Sequence, residues 1–336
     1  MACLATVALL ACAACIREEM PDDTPMGNFE ALWQIIDEEY CFLDYKGQEY
    51  GLDWDEVYRR YRVRISADMT ARELFEVLAE MLAELRDGHV NLYAAGDVAR
   101  YWKWYEDYPA NFDTEVAEAY LGTDYCIASG LKYKILEDNI AYVRYESFAN
   151  AIGEGNLDQM LADVAVCDGL IIDVRHNGGG TLTNATRLAA RFTNERVLTG
   201  YILHKTGKGH SDFSDPEPVW LEPSPRLRWQ KNCVVLCNRR SYSATNEFVN
   251  AMRTLPRVTT MGDRTGGGAG LPMSSELPNG WSVRYSSSPH LDAEGKHIEF
   301  GIEPDVRVAL LDDDVTRGRD TLIEQARAYL KAQQGN

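Results

Sequence analysis

Apolar positions recur at helical spacing through the first part of the chain. Phe29, Leu32, Ile35 and Ile36 share one face with Trp33 beside them, and Trp54, Val57 and Tyr61 share another. Leu74, Val77, Leu78, Met81, Leu82 and Leu85 form a single stripe, introduced by the capping box Thr70-Ala-Arg-Glu73. This pattern predicts a small helical N-terminal domain over residues 28–93. Its last helix runs into Arg86-Asp87-Gly88-His89, where Gly88 suits the left-handed position after a helix end. Val90, Leu92 and Tyr93 then suggest a short strand. His89 is therefore expected at a fixed, semi-exposed helix–strand junction. The connecting segment 94–132 is weakly periodic. Its Tyr101, Trp102, Trp104, Tyr105 and Tyr108 suit packing against the core, or the lining of a groove.

The period changes after residue 133. Tyr133 to Phe148 alternates, as a strand pair around Glu137-Asp-Asn139 would. Leu157, Leu161 and Val164 mark a helix, Gly169 to Val174 a buried strand, Leu182 to Phe192 a helix, and Val197 to His204 a strand. Thr206 to Arg228 is polar, contains four prolines, and reads as a loop. Cys233 to Cys237 is a buried strand, and Ala244, Phe248, Met252 and Leu255 share a helix face after it. Val258-Thr-Thr-Met261 is a strand, residues 262–290 are Gly-rich turns and hairpins including Trp281 to Tyr285, and Leu322 to Leu330 is a closing helix. Strands alternating with helices predict an α/β core over 133–336, a largely parallel sheet with flanking helices.

Composition narrows the function classes. A net charge of −18 argues against nucleic acid and against a polybasic membrane surface. Residues 1–15 hold a short apolar run ending Leu9-Leu-Ala-Cys12-Ala-Ala-Cys15, followed by a polar, acidic tether over 16–27. That pattern resembles a bacterial lipoprotein signal, with Cys12 or Cys15 as the lipidated residue, and predicts export with contact to a membrane only through the lipid. Five scattered cysteines remain, at 41, 126, 167, 233 and 237, which is no disulfide framework. Among these five no CxxC occurs, and the chain holds no HExxH, so no metal and no cofactor is expected.

Two stretches carry candidate chemistry. Ser243 lies between a buried strand and a helix start. It suits an N-cap, or a nucleophile whose developing oxyanion meets the free N–H groups of the first turn. Asp173-Val-Arg-His-Asn-Gly178-Gly179-Gly180 follows a strand and opens a helix. Successive glycines there suit an anion cradle, an oxyanion hole or a bare turn. A nucleotide or acyl-CoA site would need converging basic residues, and only Arg175 and Arg264 are near.

Four segments together resemble the C-terminal processing, or tail-specific, serine peptidases of family S41. These are Leu85-Arg-Asp-Gly-His89-Val, Leu170-Ile-Ile-Asp-Val-Arg-His-Asn-Gly-Gly-Gly180, Val234-Val-Leu-Cys-Asn-Arg-Arg-Ser-Tyr-Ser243-Ala-Thr-Asn-Glu-Phe and Glu299-Phe-Gly-Ile-Glu-Pro-Asp305-Val. The resemblance implies a crotonase-like α/β core and hydrolysis of peptide bonds in a peptide or protein substrate. One design in the family uses a Ser–Lys dyad, but no lysine lies between 232 and 295, and Gly268 stands nearest the lysine position. The other, like that of the tricorn core, implies Ser243 as nucleophile, His89 as general base and Glu299 as its orienter. Gly179 and Ala244 are implied as oxyanion-hole amides. About 40 residues separate Tyr93 from Tyr133, too few for the PDZ domain many relatives insert, roughly 80 residues or more.

The rivals within this reading are Ser241 for the nucleophile, His176 and His297 for the base, and Glu303 and Glu247 for the acid. Asp173 and Asp305 are expected to cap or pair within the fold. A non-catalytic protein of the same fold, binding a peptide or an apolar ligand, is the alternative function.

Overall fold

A computed structural model describes residues 22–333. The signal-like segment 1–15 and the tether up to residue 21 lie outside the described residues. The first helix begins earlier than the apolar pattern indicates, at Pro25–Glu39. Thr24 caps it by accepting from the Gly27 N–H, and Pro25 takes the first helical position, where no N–H is needed. Helices Leu43–Tyr50, Trp54–Arg62 and Ala71–Ala83 follow, and the Thr70–Glu73 capping box is formed.

The core sheet has seven strands, in the order 306–307, 258–262, 233–237, 169–173, 140–145, 131–135, 126–128. The first five are parallel, and the last two return antiparallel. Helices Glu154–Asp163, Leu182–Ala189, Ala244–Arg253 and Thr321–Ala332 connect or cover these strands, as strand–helix alternation requires. The strand Val197–Ile202 departs from the expectation. It pairs antiparallel with the long strand Ser282–Asp292 in a second, six-stranded sheet. The proline-rich loop also hides a strand, Glu217–Leu221, at the edge of this sheet. An edge tolerates Pro218 because no partner there needs its missing N–H.

The second sheet joins the two ends of the chain. Asn91–Ala94, just after His89, pairs antiparallel with Ser282–Asp292. Leu277, Val283 and Tyr285 accordingly pack in the same core as Phe29, Leu32, Leu78 and Met81. The helical N-terminal unit therefore completes its core with residues from the far end of the chain, and residue 93 is no boundary in space. The paired 131–135 and 140–145 strands pack on one face with Phe148, Leu188 and Phe248, and through Ile140 and Tyr142 on the other with Leu236 and Leu322.

Candidate active site

The parallel strand Cys233–Cys237 delivers the chain to Ser243, the residue before the helix Ala244–Arg253. Ser243 has φ 58° and ψ −123°, a conformation disfavoured for a residue with a Cβ. Such strain persists only where the surroundings enforce it, and it is common at reacting groups. Here the Ser243 N–H donates to Gly267 O at 2.8 Å, and the Tyr242 N–H donates to Asn177 O at 3.2 Å. These bonds fix the turn that carries Ser243.

His89 Nε2 lies 3.0 Å from Ser243 Oγ. The two residues come from opposite halves of the sequence and meet as the motif implied. His89 is buried, not semi-exposed. The left-handed residue after its helix is Arg86, at φ 49°, rather than Gly88. Gly88 is needed for a different reason: a Cβ there would stand 2.5 Å from Trp104 Nε1 and 2.9 Å from the Tyr242 hydroxyl. Trp104 stacks on Tyr242 with centroids 4.0 Å apart, and the Tyr242 ring packs 5.0 Å from that of His89. The connecting segment thus reaches the site through Trp104. Tyr101, Trp102 and Tyr108 line the adjoining open cleft of about 910 Å³.

Glu299 is not on His89. Its Oε1 accepts from Lys46 Nζ at 3.1 Å, and its Oε2 accepts from the Ala269 N–H at 3.0 Å. His89 Nδ1 has no hydrogen-bond partner among the described residues. The direct Glu299–His89 bond expected from the sequence is therefore replaced by a buried cluster of Glu299, Lys46 and Asp87. Asp87 Oδ1 accepts from the His89 N–H at 2.7 Å, and its Oδ2 accepts from the Tyr40 hydroxyl at 2.8 Å. Lys46 Nζ also donates to Leu85 O at 2.7 Å and lies 3.8 Å from Asp87 Oδ2. Sequence reasoning missed Lys46. The available signal was its position three residues after Leu43 and four after Phe42, on the face that the helix buries.

The electrostatics follow from this placement. Burial presses the His89 pKa down to about 4 against the pull of Asp87, so its ring is neutral and able to accept a proton near pH 7. Burial and the neighbouring Asp87 charge lift Glu299 to about 7, against Lys46. Asp87 is also opposed by burial, but Lys46, His89 and its hydrogen bonds hold it below the usual carboxylate range.

The glycine loop lies against the nucleophile. Gly179 has φ 99°, and a Cβ there would sit 2.6 Å from Tyr242 O and 2.8 Å from Ser243 Cβ. Its N–H, however, donates to Asn177 Oδ1 at 3.0 Å, so it is not presented to a substrate. Gly180 and Ala244 line the pocket of about 120 Å³ that contains Ser243. Gly179 does not line it, which makes Gly180 and Ala244 the candidates for the oxyanion amides, a shift of one residue from the expected Gly179. Asn177 Oδ1 also accepts from Thr245 Oγ1 at 2.7 Å, which ties the loop to the nucleophile helix. We expect Gly179→Ala to keep the fold but displace Ser243, lowering kcat/KM about 100-fold or more, since ångström-scale misplacement costs that much; a peptide assay alongside a thermal melt checks this.

The rivals fall away. Ser241 is buried and donates to Val174 O at 2.9 Å. His176 packs on Phe112 at 4.4 Å, and His297 stacks on Tyr45 at 4.1 Å. Glu303 is an exposed partner of Arg264 and Arg307. Glu247 pairs with His290 Nδ1 at 3.1 Å. Asp173 pairs with Arg175, and Asp305 accepts from Thr260, both structural as expected. At Gly268, the lysine position of a Ser–Lys dyad, a side chain would meet the Tyr242 ring.

Comparison with known proteins places this geometry. The model of peptidase family S41 matches residues 139–308, and that of the tricorn protease C1 domain matches residues 21–83. A solved structure from Parabacteroides merdae ATCC 43184 is 56% identical, covers 92% of this chain and 97% of its own, and superposes with a TM-score of 0.88. Mature CPAF complexed with lactacystin shares the fold, with a TM-score of 0.70 at 12% identity over 92% of this chain and 98% of its own. A CtpA-like serine protease of Staphylococcus haemolyticus is 26% identical over 175 residues, 52% of this chain. The chain spans about a third of that curated relative, 34% of its length. With the S41 model covering five of the seven core strands, the glycine loop and Ser243, and the tricorn C1 model covering the helix that carries Lys46, the chain belongs to peptidase family S41.

Proposed function

We propose that the chain is a serine endopeptidase acting on a peptide or protein substrate. The observation that carries this reading is the 3.0 Å contact between His89 Nε2 and the strained Ser243 Oγ. His89 takes the hydroxyl proton as Ser243 Oγ bonds to the scissile carbonyl carbon. The carbonyl oxygen becomes negative beside the Gly180 and Ala244 amides, at the start of a helix whose dipole favours that charge. The carbon–nitrogen bond then breaks, the amine leaves with the proton from His89, and water hydrolyses the ester by the reverse path. Asp87 and Glu299 act on the imidazolium through space, and Asp87 also fixes the His89 backbone. The residues 9–15 pattern supports export and a lipid anchor on Cys12 or Cys15.

Labelling by a serine-directed phosphonate, followed across pH and located by peptide mapping, tests the reading. The label is expected on Ser243. The rate is expected to fall only below about pH 5, because burial depresses the His89 pKa and the neutral ring is the working base. A label elsewhere, or a rate requiring pH above about 9 as a lysine base would, would sink the assignment.

A further inference from the structure

The helix that starts after Ser243 carries a carboxylate one turn later. The Glu247 N–H donates to Ser243 O at 3.1 Å, so residue 247 lies on the same side of the helix as the nucleophile. His290 arrives from the long strand Ser282–Asp292, and its N–H donates to Ala269 O at 2.8 Å. Both side chains line the Ser243 pocket, whose other walls include Leu182, Leu271 and Pro272. With Leu182 they also line a neighbouring cavity of about 110 Å³, whose walls include Val219, Leu221 and Phe248. The pair is therefore a polar partition between the nucleophile's pocket and an apolar chamber behind it.

That partition is only half satisfied. Glu247 Oε1 lies 3.1 Å from His290 Nδ1, an ion pair whose side chains are 19% and 12% exposed. Among the described residues, neither Glu247 Oε1 nor His290 Nε2 has a hydrogen-bond partner. Polar atoms screened from water beside apolar walls are costly until a partner reaches them. Burial opposes a charge on His290, but the Glu247 carboxylate lifts its pKa above the ordinary histidine value, which favours a proton on Nε2. The pair then offers a donor and an acceptor side by side with no net charge. A side-chain carboxamide is the complement of that arrangement, because it accepts through its oxygen and donates through its NH2.

We propose, resting on the peptidase reading, that the Glu247–His290 pair selects substrates in which the residue supplying the scissile carbonyl bears a side-chain carboxamide. The side of the bond follows from the pocket. Ser243 shares it with Gly180 and Ala244, the candidates for the oxyanion amides, which flank the carbonyl under attack. His89, which hands its proton to the leaving amine, does not line it. The side chain that enters therefore belongs to the acyl portion of the substrate. Its carbonyl oxygen accepts from His290 Nε2, and its NH2 donates to Glu247 Oε1. Two residues supply the group, glutamine and asparagine, which differ in reach by one methylene.

Peptide pairs matched in shape separate them. At the residue before the scissile bond, Gln is compared with Met, and Asn with Leu. A Glu peptide is added because Arg284 also lines the pocket. Each is assayed for kcat/KM, and for affinity on the Ser243→Ala protein, which reads recognition even if nothing is cleaved. The amide member of one pair is expected to be favoured about 10- to 100-fold, the range of a charge-assisted hydrogen bond, since a site with unpaired polar groups rejects an apolar isostere. The ratio is expected to fall to 1 or below when Glu247→Leu and His290→Leu are combined, which removes both charges together. It is expected to survive in part in Glu247→Gln, which keeps an acceptor. Circular dichroism confirms that each variant folds. Ratios of 1 or below in both pairs for the native protein, ratios unmoved in the double variant, or a preference for Glu over Gln overturn the proposal. Absence of cleavage and of phosphonate labelling would instead overturn the peptidase reading, leaving the affinity ratio to decide this one.

Discussion

Ser243→Ala is expected to abolish peptide hydrolysis and phosphonate labelling while leaving the fold intact. Removal of a serine nucleophile in a comparable unit lowers kcat on the order of 10⁶-fold, and the remaining amides still bind substrate. The fold survives because, among the described residues, the Ser243 hydroxyl bonds only His89, while its backbone bond to Gly267 O stays. Alanine keeps the same unfavourable φ of 58°, so stability should change little. Ser243→Gly should be equally inactive but more stable, by about 1 kcal/mol or more, since glycine carries no strain there. Paired kinetics and urea melts read both. Hydrolysis retained in the alanine variant would remove Ser243 from the mechanism. An alanine variant that fails to fold would show that Ser243 has a structural role missing from this account.

The second large effect is expected at Lys46, remote from Ser243 in sequence and in chemistry. Its ammonium is fully buried between Glu299 and Asp87 and beside the rings of Tyr40 and Phe300. Lys46→Met leaves two buried carboxylates facing each other without a cation, a change that typically costs about 3–5 kcal/mol. The pH dependence has a definite sign. Glu299 already has a raised pKa, so the folded state prefers its proton. That preference stabilises the fold below the ordinary carboxyl range and is lost as pH rises through about 7. Without Lys46 the pKa rises further, so the deficit should widen between pH 5.5 and 8. Adding Glu299→Gln should recover part of the loss, as a double-mutant cycle would show. Equal losses at both pH values, or no recovery, would mean that packing and not charge is what Lys46 contributes.

Much of this site was legible in the sequence because its parts are local. A strand, a break and a helix start mark Ser243 within a dozen residues. The helix stripe ending at Leu85 marks His89. Glycines mark the loop that must approach Ser243. What stayed hidden depends on partners far along the chain. Lys46 sits in a short, polar helix, and its partner Glu299 is 253 positions away. Its one local signal is the spacing from Phe42 and Leu43, which a solvated lysine could share. The Glu299 assignment missed its immediate partner, Lys46, for the same reason. The choice between Gly179 and Gly180 turned on a side-chain acceptor, Asn177, that fold periodicity does not reveal. The strand Glu217–Leu221 was masked by prolines that only an edge position allows. The pairing of Asn91–Ala94 with Ser282–Asp292 has no local signal at all.

That last pairing has a consequence in time. The helical unit finishes its core with Leu277, Val283 and Tyr285, and the Glu299–Lys46 link closes later still. During synthesis the base emerges early, the nucleophile 154 residues later, and the buried acid cluster only near the end. Contacts of such separation form slowly, because the intervening chain must be ordered first. A partly made chain thus holds a histidine and later a serine but no assembled site. Hydrolytic power arrives only with Glu299, so competence to cut reports that every segment from Lys46 to Glu299 has been built and folded.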